Sequence, residues 1–169
     1  SFIGVQGRLM ANYLVLNQVY SAITSTTTAV LQLDQELLQL QAITGATSTN
    51  MVQLRDDILD LGTKTRFSVV DLAKAATVLG QAGLSAAQTG KALEGVALLA
   101  TAAGTDMANA TDILTSTLTI FNLQAENTAH VANILTGALN ASKLDIQKLG
   151  LGLQYAGNIA AQSAVPLEE

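Results

Sequence analysis

Three aspartates on one predicted helix form the densest group of potentially reactive side chains in the sequence. Asp56, Asp57 and Asp60 lie within five residues of one another, next to Arg55. Clustered carboxylates could hold a divalent cation or act as general acid and base. Neighbouring residues on a helix point to different faces, so Arg55 can pair only poorly with Asp56 or Asp57. Because no histidine or second acidic group stands nearby in sequence, a solvated helix face is the favoured interpretation.

The other motifs with possible chemistry are incomplete. His130 is the only histidine and has no metal-ligating residue one helical turn further on, so a surface or half-buried position is expected. Gly80-x-x-Gly83 and Gly90-Lys91 both lack the residues that complete a phosphate-binding loop. No serine stands in a Gly-x-Ser-x-Gly elbow. The sequence therefore predicts no catalytic, cofactor-binding or metal-binding residue, no cofactor and no enzymatic activity.

Composition argues against several further classes of function. Of the 169 residues, 49% are hydrophobic, 12% are charged and 4% are aromatic. The eight basic residues are scattered among thirteen acidic ones, whereas nucleic-acid binding needs clustered Lys and Arg. There is no cysteine, which excludes disulfides and thiolate metal sites. No uninterrupted apolar run is long enough to span a membrane, and the first residues do not follow the order of a signal peptide.

Capping signals and glycines divide the chain into short helices. Ser68-x-x-Asp71, Ser85-x-x-Gln88 and Ser142-x-x-Asp145 match the capping box, which satisfies free N–H groups at a helix start. Gly83 suits the left-handed residue that ends a helix, and turns are also expected at Gly104 and Asn122. The predicted helices span about 8–23, 30–43, 47–65, 68–83, 85–103, 106–121, 126–139 and 142–156.

Two of these helices carry features that weaken the prediction locally. Within 113–121 the threonines alternate as in a strand, but the leucines match a helix, and the helical neighbours decide for helix. Gly150, Gly152 and Gly157 weaken the last helix and would allow another backbone to approach it closely.

A weak internal repeat relates the predicted helix pairs. One constant offset along the chain sets Leu84 on Leu123 and Thr89 on Thr128. Repeats with a period of about 40 residues usually indicate stacked helical hairpins, and a series of unrelated helices with similar caps is an equally open interpretation. The predicted fold class is all-α, a series of helical hairpins packed as a multi-helix bundle of about six to eight helices.

The chain is predicted to contain three parts. Residues 1–29 are an amphipathic helix with a threonine-rich linker, 30–164 are a core helical domain, and 165–169 are the start of a further helix with Pro166 in its first turn. That ending and the lack of an initiator Met predict an excerpt of a longer polypeptide. The polar face of the first helix carries Asn and Gln rather than Lys and Arg, so packing against another helix is favoured over lying on a membrane surface. Its apolar residues recur every three or four positions, at Leu9, Met10, Tyr13, Leu14, Leu16, Val19, Tyr20 and Ile23.

Several ordered, mostly apolar segments follow one pattern around these turns. They are 67–76, the run Leu-Gly-Gln-Ala-Gly-Leu-Ser at 79–85, and 99–106. Together they resemble the core region of bacteriophage tail tape measure proteins, as do 128–135, 142–146 and 165–169 further on. The resemblance covers roughly residues 30–169 and leaves 1–29 outside. Asn133 stands where that family leads us to expect an acidic residue.

The resemblance implies a long, mostly helical protein inside the tail of a phage or prophage virion. It implies location in the tail lumen, and in the host bacterial cytoplasm during assembly. The implied role is to govern tail length and assembly and to take part in DNA ejection. The implied partners are the tail tube protein, tail assembly chaperones and baseplate or tail-tip proteins, with membrane contact only during infection. Exposed apolar helix faces are also expected and would support self-association.

A second function class fits the same composition. Ala-rich helices punctuated by glycine also occur in membrane-active, pore-forming-like domains that hide apolar helices in a soluble form. Leakage of liposomes on binding would favour that alternative.

Overall fold

The computed structural model describes residues 27–142 and 145–162. Every regular element in these ranges is helical, in agreement with the predicted all-α fold. The helices are α1 (described over residues 27–44), α2 (Ser48–Lys64), α3 (Val69–Gln81), α4 (Ala86–Ala102), α5 (Met107–Ile120), α6 (Thr128–Ala141) and α7 (described over Ile146–Gln162), with one 3₁₀ turn at Ala125–Asn127. The predicted helix at 8–23 and the predicted helix start at 165–169 lie outside the described residues.

The helices alternate between two layers. In one layer α2 contacts α4 and α4 contacts α6, and in the other α3 contacts α5 and α5 contacts α7. Helix α1 joins the second layer, because Glu36 accepts a hydrogen bond from Thr77 of α3 and Leu40 packs on Gly80. From α2 to α6, each helix also packs on the next one in sequence, across the layers. The described part of the chain is therefore a row of stacked hairpins, with α4 enclosed by α2, α3, α5 and α6.

Helices of one layer begin at regular intervals along the chain. The first residues are Val69, Met107 and Ile146 for α3, α5 and α7, and Ser48, Ala86 and Thr128 for α2, α4 and α6. The turns repeat as well, since Leu84 N–H donates to the Leu79 carbonyl and Leu123 N–H donates to the Leu118 carbonyl. Those two bonds are related by the same offset that the sequence shows. This regularity favours a true repeat of hairpins over a series of unrelated helices.

The turns that end α3 and α5 depend on a residue in the left-handed region. Gly83 has φ +97° and Asn122 has φ +50°, and both residue types tolerate this conformation. The same geometry recurs at Gly104, so all three predicted turns are confirmed. In each turn, the N–H groups just after the helix donate hydrogen bonds to the last carbonyls of the helix, which would otherwise lack a partner.

The predicted capping boxes have three different outcomes. At Ser85 the box is complete: Gln88 N–H donates to Ser85 Oγ at 3.3 Å, and Ser85 N–H donates to Gln88 Oε1 at 2.8 Å. At Ser68 the hydroxyl accepts a hydrogen bond from Asp71 N–H. The Asp71 carboxylate accepts a hydrogen bond from the same hydroxyl, whereas in a complete box it would accept from the Ser68 backbone N–H. The helix start predicted at Ser142 was wrong, because Ser142 ends α6.

The last described helix begins later than predicted. Ser142 has extended backbone, and Asp145 caps α7 by accepting from Lys148 N–H at 2.8 Å. An aspartate can cap a helix by itself, and its charge favours the positive end of the helix dipole, so the helix begins after Asp145. The predicted helix 126–139 also begins later, because Ala125–Asn127 form a 3₁₀ turn and α6 starts at Thr128.

The threonine-rich stretch of α5 is helical, as predicted. The hydroxyls of Thr115, Thr117 and Thr119 each donate to the carbonyl four residues earlier, which satisfies them within the helix. The six buried polar residues of the described ranges are all threonines. Five of them donate to the carbonyl four residues earlier, and Thr128 donates to the carbonyl of Ala125, three residues earlier. The core around them consists of Leu, Ala, Met, Val and Ile with Phe67 as its one buried aromatic residue in these ranges.

Two glycines of α7 lie in its contact with α5. A Cβ on Gly150 would be 3.2 Å from Ile113 Cγ1, and one on Gly157 would be 2.8 Å from Ile120 Cγ2. Both glycines of α7 are thus in close contact with α5, but the nearest atoms belong to the side chains of Ile113, Ile120 and Phe121 rather than to the backbone that the sequence predicted. The predicted close approach was wrong for Gly152, because a Cβ built there would meet no atom of another described element within 4 Å.

Candidate functional site

The aspartates of α2 do not converge on one point. Gln53 Nε2 donates to Asp57 Oδ1 at 2.8 Å, and the other oxygen of Asp57 lies over Gly90 of α4. Asp60 instead forms an ion pair with Lys64, in which Asp60 Oδ2 lies 2.6 Å from Lys64 Nζ. Arg55 pairs with neither neighbouring aspartate and lies near Asp34 of α1, 3.8 Å from Nε to Oδ1. Asp57 and Asp60 therefore serve separate local contacts.

The described residues hold no group of three or more His, Asp or Glu side chains arranged to bind a metal ion. His130 is exposed on α6, as the sequence led us to expect. Gly80 and Gly90 are helix-packing positions rather than parts of a phosphate loop, because each meets side chains of a neighbouring helix.

A groove of about 710 Å³, the α3–α5 groove, lies beside the first turns of α3 and α5. Its lining includes Arg66 and the carboxylates Asp71 and Asp106, but each of these has a structural role. Asp71 bonds Ser68, Asp106 caps α5 by accepting from Asn109 N–H at 2.8 Å, and Arg66 bonds backbone carbonyls. These three side chains therefore hold helix starts and a connection in place.

Arg66 joins two connections that are far apart in sequence. Its Nη2 donates to the carbonyls of Thr105 at 2.6 Å and Ala100 at 3.2 Å, and its guanidinium lies 4.9 Å from the centre of the Phe67 ring. The cation therefore closes the C-terminal end of α4, where the helix dipole is negative. This role was not apparent from the sequence, because it depends on a contact between two distant parts of the chain.

Apolar side chains are exposed mainly at the two ends of the helix row. At one end, α1 and α2 expose Leu38 (67%) and Val52 (59%). At the other end, α7 exposes Leu151, Tyr155 (81%) and Ile159 (70%), spaced four residues apart along one helix face. The sequence predicted exposed apolar faces in general. The spacing of the α7 residues is the signal that could have located one of them.

Within the described helices, none is both long enough and apolar enough to cross a membrane.

Among the described residues, a row of stacked helical hairpins with apolar surface at its ends defines a helical repeat protein. Comparison with known proteins gives the family. Residues 55–169 match the family model described as phage-related minor tail protein, and the chain belongs to that family.

Two relatives support this assignment. The chain is 29% identical over 134 residues to the tape measure protein of Pneumococcus phage Dp-1, covering 79% of this chain and 12% of that protein. It is 27% identical over 137 residues to the probable tape measure protein of Escherichia phage P2, covering 80% of this chain and 17% of that protein. The resemblance to tape measure proteins is therefore confirmed, and the chain spans less than a fifth of either relative's length. No solved structure matches the chain.

Proposed function

We propose that this chain is a folded module of a phage or prophage tail tape measure protein, which governs tail length and takes part in DNA ejection. The observation that carries the proposal is the similarity to two tape measure proteins over about four fifths of the chain. Since those relatives are several times longer than this chain, we assign the length-setting role to the whole protein. Residues 30–164 are its core helical domain in this proposal, with 1–29 before it and a further helix from 165.

The module itself is too compact to set tail length by its own extension. Residues 27–162 as one continuous helix would extend about 200 Å at 1.5 Å per residue. They are instead folded back into short helices in two layers, such as the 13 residues of α3 and the 17 residues of α4. A folded row of this kind supports a role in anchoring or directing assembly, while length would come from extended helices elsewhere in the protein.

The partners in this proposal are other components of the tail. In this proposal the protein contacts the tail tube protein, the assembly chaperones and the baseplate or tail-tip proteins. These contacts take place in the tail lumen and, during assembly, in the host cytoplasm. The exposed apolar side chains of α7 are available for such contacts or for self-association. Membrane contact is confined to infection.

We assign no enzymatic activity, cofactor or nucleic-acid binding to this module. Several charged side chains are engaged in caps and local pairs, namely Asp60 with Lys64 on α2, Asp71 and Asp106 in the α3–α5 groove, and Asp145 with Lys148 at the start of α7, and the net charge is −5. A negative surface without a basic patch disfavours phosphate contacts.

Tail length measured by electron microscopy tests the length-setting role. Deleting about 100 codons from an extended helical region of the full-length gene, outside the part that encodes these residues, should shorten the tails by about 150 Å. Duplicating the same codons is the matched control and should lengthen the tails by the same amount. Tails of unchanged length in both variants would contradict the proposal.

The membrane-active alternative predicts a different result. The 169-residue chain would bind liposomes and release an entrapped dye. The tape measure proposal predicts neither binding nor leakage at neutral pH.

A further inference from the structure

The described row of helices has a different apolar surface at each of its ends. At one end, a groove of about 400 Å³ runs between α1 and α2, and its lining includes the exposed side chains of Leu38 and Val52. At the other end, α7 carries Leu151, Tyr155 and Ile159 along one face, each more than half exposed. We call these surfaces the α1–α2 groove and the α7 ridge. Helices pack by fitting the side-chain ridge of one into the groove of another, so the two surfaces have complementary forms.

The α7 ridge points away from α5. Gly150 and Gly157 of α7 lie against Ile113 and Ile120 of α5, in the same order along both helices, so α5 and α7 run parallel. With about 3.6 residues per turn, the ridge lies on roughly the opposite side of α7 from these glycines. The ridge therefore faces the place where the next helix of this layer would lie.

The α1–α2 groove has the position of a site for a preceding helix. In the rest of the row, a helix packs on the two helices that follow it: α2 packs on α3 and α4, and α3 packs on α4 and α5. The pair α1–α2 offers the same kind of position to a helix that comes before it. Leu40, Leu54 and Asp57, with which α1 and α2 contact α3 and α4, do not line the groove. The groove is thus separate from the contacts that hold the described row together.

Neighbours in the layer of α2, α4 and α6 meet in one register. Counted from the first residue of each helix, Asp57 is the tenth residue of α2 and lies against Gly90, the fifth residue of α4. Gly95 is likewise the tenth residue of α4 and lies against Ala132, the fifth residue of α6. A helix that joins this layer ahead of α2 should therefore place its tenth residue against Val52, the fifth residue of α2.

Helix α7 fits this register. Its tenth residue is Tyr155, the most exposed residue of the ridge, and its sixth residue, Leu151, would lie against Ser48 at the start of α2. Both Ser48 and Val52 line the groove. The register that joins the helices of one copy would therefore lay the α7 ridge along the α1–α2 groove.

We infer that the α7 ridge of one copy docks in the α1–α2 groove of a second copy, so that the row continues from chain to chain. Helix α7 then packs on α1 and α2 of the next copy as α3 packs on α4 and α5 of its own. The occupant of the groove is this second copy, and neither another segment of the same chain nor another tail protein. The contact is heterologous, so it repeats from copy to copy into a line or a closed ring. The inference depends on the helix row alone and not on the proposed function.

Two variants that each block one surface test the pairing by complementation. Leu38→Lys/Val52→Lys blocks the groove and Tyr155→Lys/Ile159→Lys blocks the ridge, and all four side chains are exposed, so both variants should fold. Each variant replaces apolar contacts with charge and should weaken docking by at least about tenfold. In sedimentation velocity, the unmodified 169-residue chain should form assemblies that grow with concentration, and each variant alone should sediment as one chain. An equimolar mixture should form dimers, because one variant keeps its ridge and the other keeps its groove.

Val30→Lys/Leu98→Lys is the matched control. Both side chains are exposed and apolar but lie outside the groove and the ridge, so this variant should associate like the unmodified chain. A single-chain mass for the unmodified protein at every concentration, or no dimer in the mixture, would overturn the inference. A groove variant that associates as well as the unmodified chain would assign the α7 ridge to a two-fold contact with itself and overturn it as well.

Disulfide formation between chains supplies a second measurement, since the chain has no cysteine of its own. Tyr155→Cys and Val52→Cys chains, one of them isotopically labelled, are mixed and mildly oxidised. Docking brings the two Cα atoms within about 7 Å, so the mixed disulfide should exceed either homodimer by about fivefold or more. The mixture of Tyr155→Cys with Leu98→Cys is the control and should give no such excess. Equal yields in both mixtures, or a predominance of Tyr155→Cys homodimers, would be decisive against docking in the groove.

Discussion

Arg66 Nη2 donates a hydrogen bond of 2.6 Å to the carbonyl oxygen of Thr105, which lies 39 residues further along the chain. The contact joins the connection between α2 and α3 to the connection between α4 and α5. These two connections occupy equivalent places in successive steps of the row, so one side chain ties neighbouring repeats together. The same nitrogen also reaches Ala100, whose carbonyl belongs to the last turn of α4.

Replacing Arg66 with lysine should therefore destabilise the fold by about 1–2 kcal/mol, because an ammonium cannot reproduce the planar guanidinium that bonds both carbonyls and stacks on Phe67. The free energy of unfolding in urea measures the effect. Arg55→Lys is the control, since its ion pair with Asp34 is 3.8 Å long and about half exposed, and the loss should stay within about 0.5 kcal/mol. Equal losses in the two variants would show that Arg66 does not join the repeats.

Gly80 gives the sharpest steric prediction. A Cβ on this residue would overlap Leu40 Cδ1 and lie 3.3 Å from Thr44 Cγ2, in the contact between α3 and α1. Leu40 is fully buried, so Gly80→Ala should cost about 1–3 kcal/mol despite the better helix propensity of alanine. Urea denaturation followed by circular dichroism is the measurement.

Gly137 is the matched control for Gly80. It lies exposed inside α6 and has no atom within 4 Å of a Cβ built on it. Gly137→Ala should therefore stabilise the protein by up to about 1 kcal/mol through helix propensity alone. If both substitutions stabilise, the α1–α3 contact is looser than the structure has it.

The contrast between Gly80 and Gly137 shows what the sequence could not reveal. Helix positions follow from local signals. The sequence alone therefore identifies the cap formed by Ser85 and Gln88, and it identifies the turns at Gly83 and Asn122. Whether a glycine inside a helix lies in a contact depends on residues in another repeat of the row. For this reason the sequence could not tell that Gly150 and Gly157 meet side chains of α5, whereas a Cβ on Gly152 would meet no other described element.

The candidate surfaces were hidden from the sequence for the same reason. Leu38 and Leu40 are two leucines of one apolar run, yet Leu40 is buried against α3 and Leu38 faces solvent. Only the arrangement of the layers separates them. The start of α7 was mispredicted by a local competition, because Ser142 and Asp145 are both good capping residues and Asp145 prevailed.

Asp145 should make stability depend on pH in the acid range. The Asp145 carboxylate accepts a hydrogen bond from the Lys148 backbone N–H, and the Lys148 ammonium lies 3.0 Å away. Both interactions favour the charged form, so they hold the pKa of this carboxyl below that of a free aspartate. A lowered pKa in the folded state contributes stability above the unfolded-state pKa, and this contribution is lost as pH falls through the folded-state pKa. Asparagine also caps helices but does not titrate. Asp145→Asn should therefore lose less stability than the unmodified protein on acidification.

Unfolding midpoints between about pH 7 and about pH 2 measure this difference. Asp56→Asn is the control for removing one exposed carboxylate, because it lies in the middle of α2 rather than at a helix start. If Asp145→Asn and the unmodified protein lose stability equally across this range, the charge of Asp145 does not stabilise α7.

Self-association should depend on the exposed face of α7. Tyr155 and Ile159 are among the most exposed large apolar side chains of the described residues and lie on one face with Leu151. Burying two such side chains on each copy would contribute several kcal/mol, so Tyr155→Lys/Ile159→Lys should weaken association by at least about tenfold. Light scattering across a concentration series measures it. Val30→Lys/Leu98→Lys places the same added charge at exposed apolar positions on α1 and α4, and it should change association much less. A molar mass that stays at one chain at every concentration of the unmodified protein would reject the α7 face as a self-association surface, and it would leave that face to another tail component.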